Sequence, residues 1–453
     1  MRPCESEAFA VDPGPVGATG AGLMGSSRVQ RIAALLAVVA LAPLLVRFYA
    51  RNERLGSMPE TISTAATAHA VVRRGTLDVS EYYPAADFPA GRMYAVRSDG
   101  ERLYSIEPLA SALTFVPFFV PYRGMPAEGF RLRWRVFLSV ASTITTLTVV
   151  LVAAWMLAIV SGPWALVVTA VIALATSMRT IDAAGLWQHT SAAPWAVAGL
   201  ALWSLADARP ALYPWAGAAL AIATACRPIF VPAALLVAWS ALRTRRGSGV
   251  VTAGVVAAIG GLALLGNWWI HGALMGGRAS IVGSISETHA VKAYFDFSPW
   301  NLVGLLVAPS RGLFVYSPVL LFALPGMSAT LGRSARPAER LITIAGLTMF
   351  VLYGFIATWW AGWGYGPRYM TDLLPFFALW LARTPLPPRG PSLAALAFVA
   401  AFAWSFGTHE LGVRAYPCGW DAFPVSVDVA PERLWNVRDT EVARCWRALR
   451  GRP

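Results

Sequence analysis

The chain has 453 residues, of which 57% are hydrophobic and only 13% are charged. Apolar runs repeated on this scale cannot all be buried in one soluble core, so the composition favours a membrane protein. The formal net charge of +13 does not indicate nucleic-acid binding, because the arginines are scattered in short loops between apolar runs. Anionic lipid headgroups and an excess of cations in cytoplasmic loops explain this charge better.

Residues 1–30 are rich in Gly, Pro and Ala and show no periodicity, which predicts a disordered tail. The apolar run 32–50 is long enough to span a bilayer, and Arg28 and Arg31 just before it indicate a cytoplasmic start. No clear cleavage site follows this run, so an uncleaved first span is favoured over a signal peptide.

Ten further apolar segments predict an all-α, polytopic membrane protein of about eleven spans. These segments are 133–159, 163–178, 190–205, 211–226, 228–242, 250–269, 313–327, 341–358, 373–381 and 392–406. Residues 109–120 are also apolar, but the run is short and bounded by prolines, which predicts a juxtamembrane or re-entrant helix.

The arginines in short loops predict the orientation. Residues 243–246, 333–340 and 383–389 each carry several, which marks them as cytoplasmic. The transmembrane domain is then 31–407, with an extracytoplasmic first loop at 51–130 and an extracytoplasmic tail at 408–453. A true span at 109–120 would reverse the side on which residues 179–188 lie, and the three arginines in 131–135 leave that alternative open.

Polar groups collect on the face predicted to be extracytoplasmic. Asp182, Gln188 and His189 lie in or just before GLWQHTSAAPW, where an ordinary span would be apolar. Such groups cost about 2.5–3.5 kcal/mol each in lipid unless they are paired or face water, so they predict a polar cavity. Simpler alternatives are a hydrogen bond between helices for His189, a pair with Arg179 for Asp182, and helix capping for Asp372.

Arg311 and Arg368 lie beside Gly and Pro residues, in PSRG and YGPRY. Gly and Pro break helices and leave backbone amides free near each guanidinium, a combination that suits a phosphate group. Trp187, Trp363 and Tyr365 are predicted to line the same cavity, although a belt of aromatic residues at the membrane interface is the alternative for the tryptophans.

Cysteine and histidine usage limits the chemistry further. Cys418 and Cys445 are either a disulfide, if the tail faces an oxidising compartment, or two free thiols. No cluster has the spacing of zinc ligands, so no metal site is predicted. Carboxylates in the first loop could still hold a divalent cation weakly, and no other cofactor is indicated.

Four stretches carry a family resemblance: GLWQHTSAAPW, APSRGLFVYSPVLLFALPG, WWAGWGYGPRYMTDLLPF and YPCGWDAFPVSVDVAPERLWNVRDTE. In this order they resemble a group of bacterial multi-spanning glycosyltransferases of the GT-C superfamily. That group is related to dolichyl-phosphate-mannose protein mannosyltransferases and to lipid A aminoarabinose transferases.

The resemblance implies transfer of a sugar from a polyprenyl-phosphate donor to a glycolipid, glycan or protein at the outer face of the bacterial cytoplasmic membrane. It implies a carboxylate in the first loop as general base on the acceptor hydroxyl. It also implies polar groups that bind the donor phosphate, for which Gln188, His189, Arg311 and Arg368 are the candidates.

The first loop departs from the pattern of these relatives. They commonly have Asp where this chain has Ser57, so Glu60, three residues later, is the first candidate base. Asp78 and Glu81 match the next part of the loop and are the other candidates. Glu107 stands where many members of the wider superfamily have Lys. A transporter or flippase of a lipid-linked or small polar substrate, and a non-catalytic relative, are the competing predictions.

Overall fold

The computed structural model describes residues 28–51, 59–83, 96–99, 102–160, 162–277, 295–385 and 392–451. Almost all of the predicted tail at 1–30 lies outside these residues, and so does Ser57. The described residues form seventeen α-helices and one two-stranded hairpin, which confirms the all-α prediction.

The helices run along the chain as follows. They are α1 Arg28–Ala40, α2 Ala42–Tyr49, α3 Pro59–Arg74, α4 Leu109–Phe119, α5 Trp134–Ile159, α6 Gly162–Leu174, α7 Gln188–Ala206, α8 Tyr213–Cys226, α9 Val231–Thr244, α10 Arg246–His271, α11 Pro299–Val307, α12 Leu313–Tyr316, α13 Leu324–Leu331, α14 Pro337–Tyr353, α15 Leu374–Arg383, α16 Leu393–Ala415 and α17 Glu441–Leu449. The strands are β1 Val96–Asp99 and β2 Arg102–Ser105, paired antiparallel.

Three of the described helices are long and apolar enough to cross a membrane: α5, α10 and α16. The count is four if the bent pair α1 and α2 forms one span. A bilayer core about 30 Å thick needs about 20 helical residues to span it. The other predicted segments that lie in helices are shorter than this. The prediction of about eleven spans is therefore supported only for this smaller set.

Several predicted continuous segments are interrupted. The first predicted span bends by 42° at Leu41, between α1 and α2 and two residues before Pro43. The segment predicted at 313–327 divides into α12, a 3₁₀ helix at Pro318–Ala323, and α13. Pro318 and Pro325 account for the breaks within 313–327, since proline lacks the backbone donor that a helix interior requires.

The central bundle contains α5, α7, α8, α9 and α10, which pack against one another. Within it, α10 is the least enclosed: only 11% of its most apolar stretch is buried. Trp268 and Trp269 near its end are 59% and 78% exposed. Apolar surface of this extent is typical of a helix that faces lipid, with tryptophans near the interface.

The first-loop segment builds a unit with its own apolar core. α3 packs on α4 and on β2, and their buried side chains meet others from the start of α5. His69 lies inside this core, where Nδ1 is 2.8 Å from the Tyr82 hydroxyl and Nε2 is 3.0 Å from the Tyr122 carbonyl oxygen. α4 has eleven residues, the length of a juxtamembrane rather than a spanning helix.

The C-terminal tail begins later than predicted. α16 continues to Ala415 rather than ending at residue 407, and no Pro interrupts 408–415. Cys418 and Cys445 form a disulfide, so the disulfide is the alternative that the structure shows. It joins the extended start of the tail to α17.

Candidate functional site

The motif GLWQHTSAAPW forms the entry to α7. Gly185 has extended backbone, and a Cβ there would lie 3.0 Å from the Thr61 Cγ2 and 3.1 Å from the Trp187 Nε1. Trp187 is also extended, and the helix starts at Gln188. The first two helical residues are therefore polar and buried, at the point where α3 from the first loop touches the bundle.

A buried arginine joins the segments that meet at this point. Arg227 ends α8 in an extended conformation, as expected for the residue before a proline. Its Nε donates to the Asp372 carboxylate, its Nη1 donates to the Gln188 amide oxygen at 3.1 Å, and its Nη2 is 3.3 Å from the Tyr353 hydroxyl. One guanidinium thus connects α7, α8, α14 and the turn before α15.

His189 and Asp372 form a buried pair beside Arg227. The His189 Nδ1 donates to the Asp372 Oδ1 at 2.9 Å, because an ionised carboxylate is only an acceptor. This fixes the tautomer in which Nε2 is the acceptor. Tyr353 also donates to Asp372. The predicted capping role of Asp372 is wrong, since no side-chain cap is formed at α15.

Glu107 extends this polar network into the first-loop unit. The Gln188 side-chain amide donates to the Glu107 carboxylate, which is 5% exposed. A small cleft lies beside Glu107, and His271 at the end of α10 also lines it. The series Glu107, Gln188, Arg227, Asp372 and His189 therefore runs without a break from the cleft into the bundle.

Arg368 is partly exposed and lies against Trp187 at the entry to α7. Its guanidinium carbon is 4.8 Å from the centre of the Trp187 ring, and its Nη1 makes only a long contact of 3.5 Å with the Trp363 carbonyl. Trp363 is 44% exposed. The two predicted lining tryptophans thus flank an arginine that keeps hydrogen-bonding capacity for a ligand.

Asp182 is buried near this network, but it does not pair with Arg179, which binds Glu410 instead. Among the described residues, no group bonds the Asp182 Oδ1. Burial, together with the nearby Asp372 charge, raises the pKa of Asp182 well above its ordinary value, although Arg227 opposes this.

Glu60 lies in the first turn of α3 and is partly exposed. Within the described part of the chain, its side chain has no recorded partner; only its backbone carbonyl accepts bonds, from Ser63 and Thr64. Its neighbour Thr61 touches the Gly185 turn. The Ser63 hydroxyl, which donates to the Glu60 carbonyl, accepts a bond from the hydroxyl of Ser105, two residues before Glu107. Glu60 therefore belongs to the segment that approaches the network.

Asp78 and Glu81 have structural partners. The Asp78 carboxylate accepts bonds from the Ser80 backbone amide at 2.9 Å and from its hydroxyl at 2.5 Å, and it faces the Leu103 amide. Burial opposes ionisation, but these bonds lower the pKa of Asp78 below its usual value. Glu81 pairs with Arg73 at 2.6 Å and Arg74 at 3.3 Å on the surface. Both carboxylates hold the first-loop unit together.

Arg311 and Tyr365 lie apart from the network, against the tail. The Arg311 Nη2 donates to Asp421 at 2.5 Å and its Nη1 to Glu441 at 2.6 Å, and the side chain is 1% exposed. Tyr365 is fully buried and donates to the Thr408 carbonyl at 2.9 Å. Neither is placed to meet a ligand at the entry to α7, so the structure does not bring all the predicted site residues together.

Two members of the network were missed by the sequence analysis. Arg227 falls between the predicted segments 211–226 and 228–242, and Tyr353 falls within the predicted apolar segment 341–358. The CRP stretch at 226–228 was the available signal, because an arginine between two apolar helices must find a counter-charge.

The described residues contain no group of three or more His, Cys, Asp or Glu side chains that could hold a metal ion. No protein-family model matches the chain, and no curated protein sequence matches it significantly.

Proposed function

We propose that the protein is a membrane-embedded glycosyltransferase that uses a polyprenyl-phosphate-linked sugar. The observation that carries the proposal is the convergence of His189, Arg227, Asp372 and Arg368 at the entry to α7. Glu107 of the first-loop unit bonds to this network, and Thr61, the neighbour of Glu60, touches the turn before α7. Groups that bind phosphate and groups that take up protons are then held in one place, as transfer from a phosphate donor requires.

Arg368 is the proposed ligand of the donor phosphate. It is partly exposed, and the Trp187 face holds the guanidinium plane without using its hydrogen bonds. Asp372 fixes the His189 ring through Nδ1, which leaves Nε2 as an acceptor, so His189 can accept a hydrogen bond from a hydroxyl of the donor but cannot donate one to the phosphate. Arg227 already bonds to Asp372 and Gln188, so it supports Arg368 and His189 from behind and adds a positive charge there. As the bond between the anomeric carbon and the phosphate oxygen breaks, Arg368 and this charge stabilise the growing negative charge on the leaving phosphate.

Glu60 is the proposed general base. A sugar or other alcohol hydroxyl is a weak nucleophile at neutral pH, and partial removal of its proton assists attack on the anomeric carbon. Of the first-loop carboxylates considered, Glu60 has no described side-chain partner, whereas Asp78 and Glu81 are engaged in the fold. Glu107 is the second candidate, although it already receives the Gln188 amide.

Two features support activity at the extracytoplasmic face of a membrane. The apolar surface of α10 suits lipid contact. The disulfide in the tail suits an oxidising compartment, such as the bacterial periplasm or cell exterior. The acceptor in this proposal is any hydroxyl of a glycolipid, glycan or protein that reaches the first-loop unit.

The test is transfer of radiolabelled sugar from a panel of polyprenyl-phosphate donors into membranes with and without the protein. We expect label to depend on the wild-type chain, to be lost in Arg368→Ala, and to be retained in Arg336→Ala, whose side chain is 60% exposed near the start of α14. If no donor gives label, or if both variants transfer like wild type, the proposal fails and transport or a non-catalytic role takes its place.

A further inference from the structure

The loop between α14 and the 3₁₀ helix at Arg368–Leu373 has a demanding backbone. Ala361, Gly362 and Gly366 have φ values of 64°, 65° and 73°, in the left-handed region. A Cβ on Gly366 would lie 2.8 Å from the Tyr316 Cδ1, so only glycine fits there. A conformation of this kind persists only where surrounding contacts hold it.

The C-terminal tail supplies two of these contacts. The Gly366 amide donates to the Glu441 Oε2 at 2.9 Å, and the Trp360 Nε1 donates to the Asp428 Oδ1 at 2.8 Å. The Trp359 ring also lies 6.2 Å from the Trp435 ring. The tail thus contacts both ends of the loop, and we name these contacts the tail clasp.

Glu441 is itself firmly anchored. The same Oε2 accepts bonds from Arg311 at 2.6 Å and from the Tyr316 hydroxyl at 2.7 Å, and the Glu441 backbone amide is 3.3 Å from the Ser310 hydroxyl. The Glu441 side chain is fully buried. The disulfide to Cys418 holds the helix that starts with Glu441. A rigid acceptor therefore fixes the Gly366 amide.

The position of Gly366 in turn constrains the backbone of Arg368. The Gly366 amide donates to Glu441, and the Gly366 carbonyl oxygen accepts a bond from the Arg368 amide at 3.0 Å. The Arg368 side chain has few constraints of its own: the Trp187 ring, a 3.5 Å contact to the Trp363 carbonyl, and an Nε that no described group bonds. Its place over Trp187 therefore depends on where the backbone of the loop is held.

We propose that Glu441 and Asp428 are positioning residues: through the loop at 359–367 they hold Arg368 over Trp187, so that the tail completes the site for an anionic phosphate ligand. This inference rests on the proposed function for the ligand, but the clasp itself is a property of the fold. Both carboxylates bond to the loop, at Gly366 and at Trp360, and it is through the loop that they act on Arg368.

The clasp is tested first without any ligand, by hydrogen–deuterium exchange of the purified full chain in detergent. We expect exchange of peptides covering 359–367 to be at least about tenfold faster in Glu441→Ala than in wild type. In Glu441→Gln, which keeps an acceptor oxygen, exchange should be slower than in Glu441→Ala. Asp428→Ala is the milder variant, since that side chain is only partly buried. Glu432→Ala, exposed in the same tail, is the matched control. Unchanged exchange in both Glu441→Ala and Asp428→Ala overturns the inference.

The link to Arg368 is tested by equilibrium binding of tritiated polyprenyl phosphate in a double-mutant cycle. Asp428→Ala and Arg368→Ala should each raise Kd, the former by about tenfold. The double variant should bind no more weakly than Arg368→Ala alone. Independent, additive losses would overturn the inference, because the tail would then act by another route. A wild-type chain that does not bind the probe, with exchange altered as expected, sinks the proposed function while leaving the clasp in place.

Discussion

The Arg227 guanidinium donates to the Gln188 amide oxygen at 3.1 Å and so connects the end of α8 to the first residue of α7. The same side chain binds Asp372, which in turn holds His189. Three segments, α7, α8 and the turn before α15, thus depend on one largely buried cation. A charge this deeply placed is kept only where its partners compensate for the water that it has lost.

Arg227→Ala should destabilise the protein by about 3–5 kcal/mol, because it leaves the Asp372 carboxylate buried with no guanidinium partner. Arg227→Lys keeps the charge but not the fork of donors, so a smaller loss is expected. Thermal unfolding in detergent is the measurement. Arg243→Ala is the control, since that side chain is exposed at the end of α9 and stacks on Trp239. Equal melting temperatures for Arg227→Ala and Arg243→Ala would contradict this account.

Glu60→Gln should reduce sugar transfer by about 10²- to 10⁴-fold while leaving donor binding unchanged, since a general base contributes to the chemical step and not to phosphate binding. Glu81→Gln is the matched control: it removes the same charge from the same unit, at a carboxylate paired with Arg73. The readout is the initial rate of label transfer at saturating donor. If Glu60→Gln transfers at the wild-type rate and Glu107→Gln does not, the base is Glu107.

Much of the helical pattern could be predicted, because apolar runs fix where helices form. The ends of α5 and α8, for example, lie within about two residues of their predicted ends. Helix breaks were harder to predict. Pro318 and Pro325 divide one predicted span, whereas Pro117 and Pro194 lie inside helices. Whether a proline ends a helix depends on which neighbours satisfy the freed carbonyl groups, and sequence alone does not show those neighbours.

The candidate site could be predicted only in part for a related reason. Gln188 and His189 stood out because a polar pair in an apolar run must find partners. Their partners Arg227 and Asp372 come from other segments, and only the packed fold pairs them. Arg311 carried the same Gly and Pro signal as Arg368, but the tail supplies two carboxylates to Arg311 and none of the described ones to Arg368. Long-range pairing of this kind leaves no local signal.

Loss of the Cys418 to Cys445 disulfide should destabilise the tail. The sequence separation is 27 residues, for which the chain-entropy relation gives about 3–4 kcal/mol. Cys418→Ser/Cys445→Ser, and the wild type after reduction, should both show earlier unfolding of α17 by limited proteolysis. The buried Cys226 serves as the control, since Cys226→Ser leaves the disulfide intact. Identical proteolysis of reduced and oxidised wild type would show that the disulfide does not hold the tail.

The first-loop unit should lose stability in mild acid because of His69. Burial lowers the pKa of His69 below its ordinary value of 6.5, although the bond to the Tyr122 carbonyl opposes this. The unfolded chain therefore binds a proton more readily than the folded one, so the stabilisation is complete above pH 6.5 and falls as the pH drops below it. His69→Gln, which keeps hydrogen-bonding groups but does not titrate, should unfold with less pH dependence between pH 7 and about pH 5. The measurement is hydrogen–deuterium exchange of α3 peptides at several pH values, corrected for intrinsic exchange. If wild type and His69→Gln lose protection equally on acidification, another group governs the acid response of this unit.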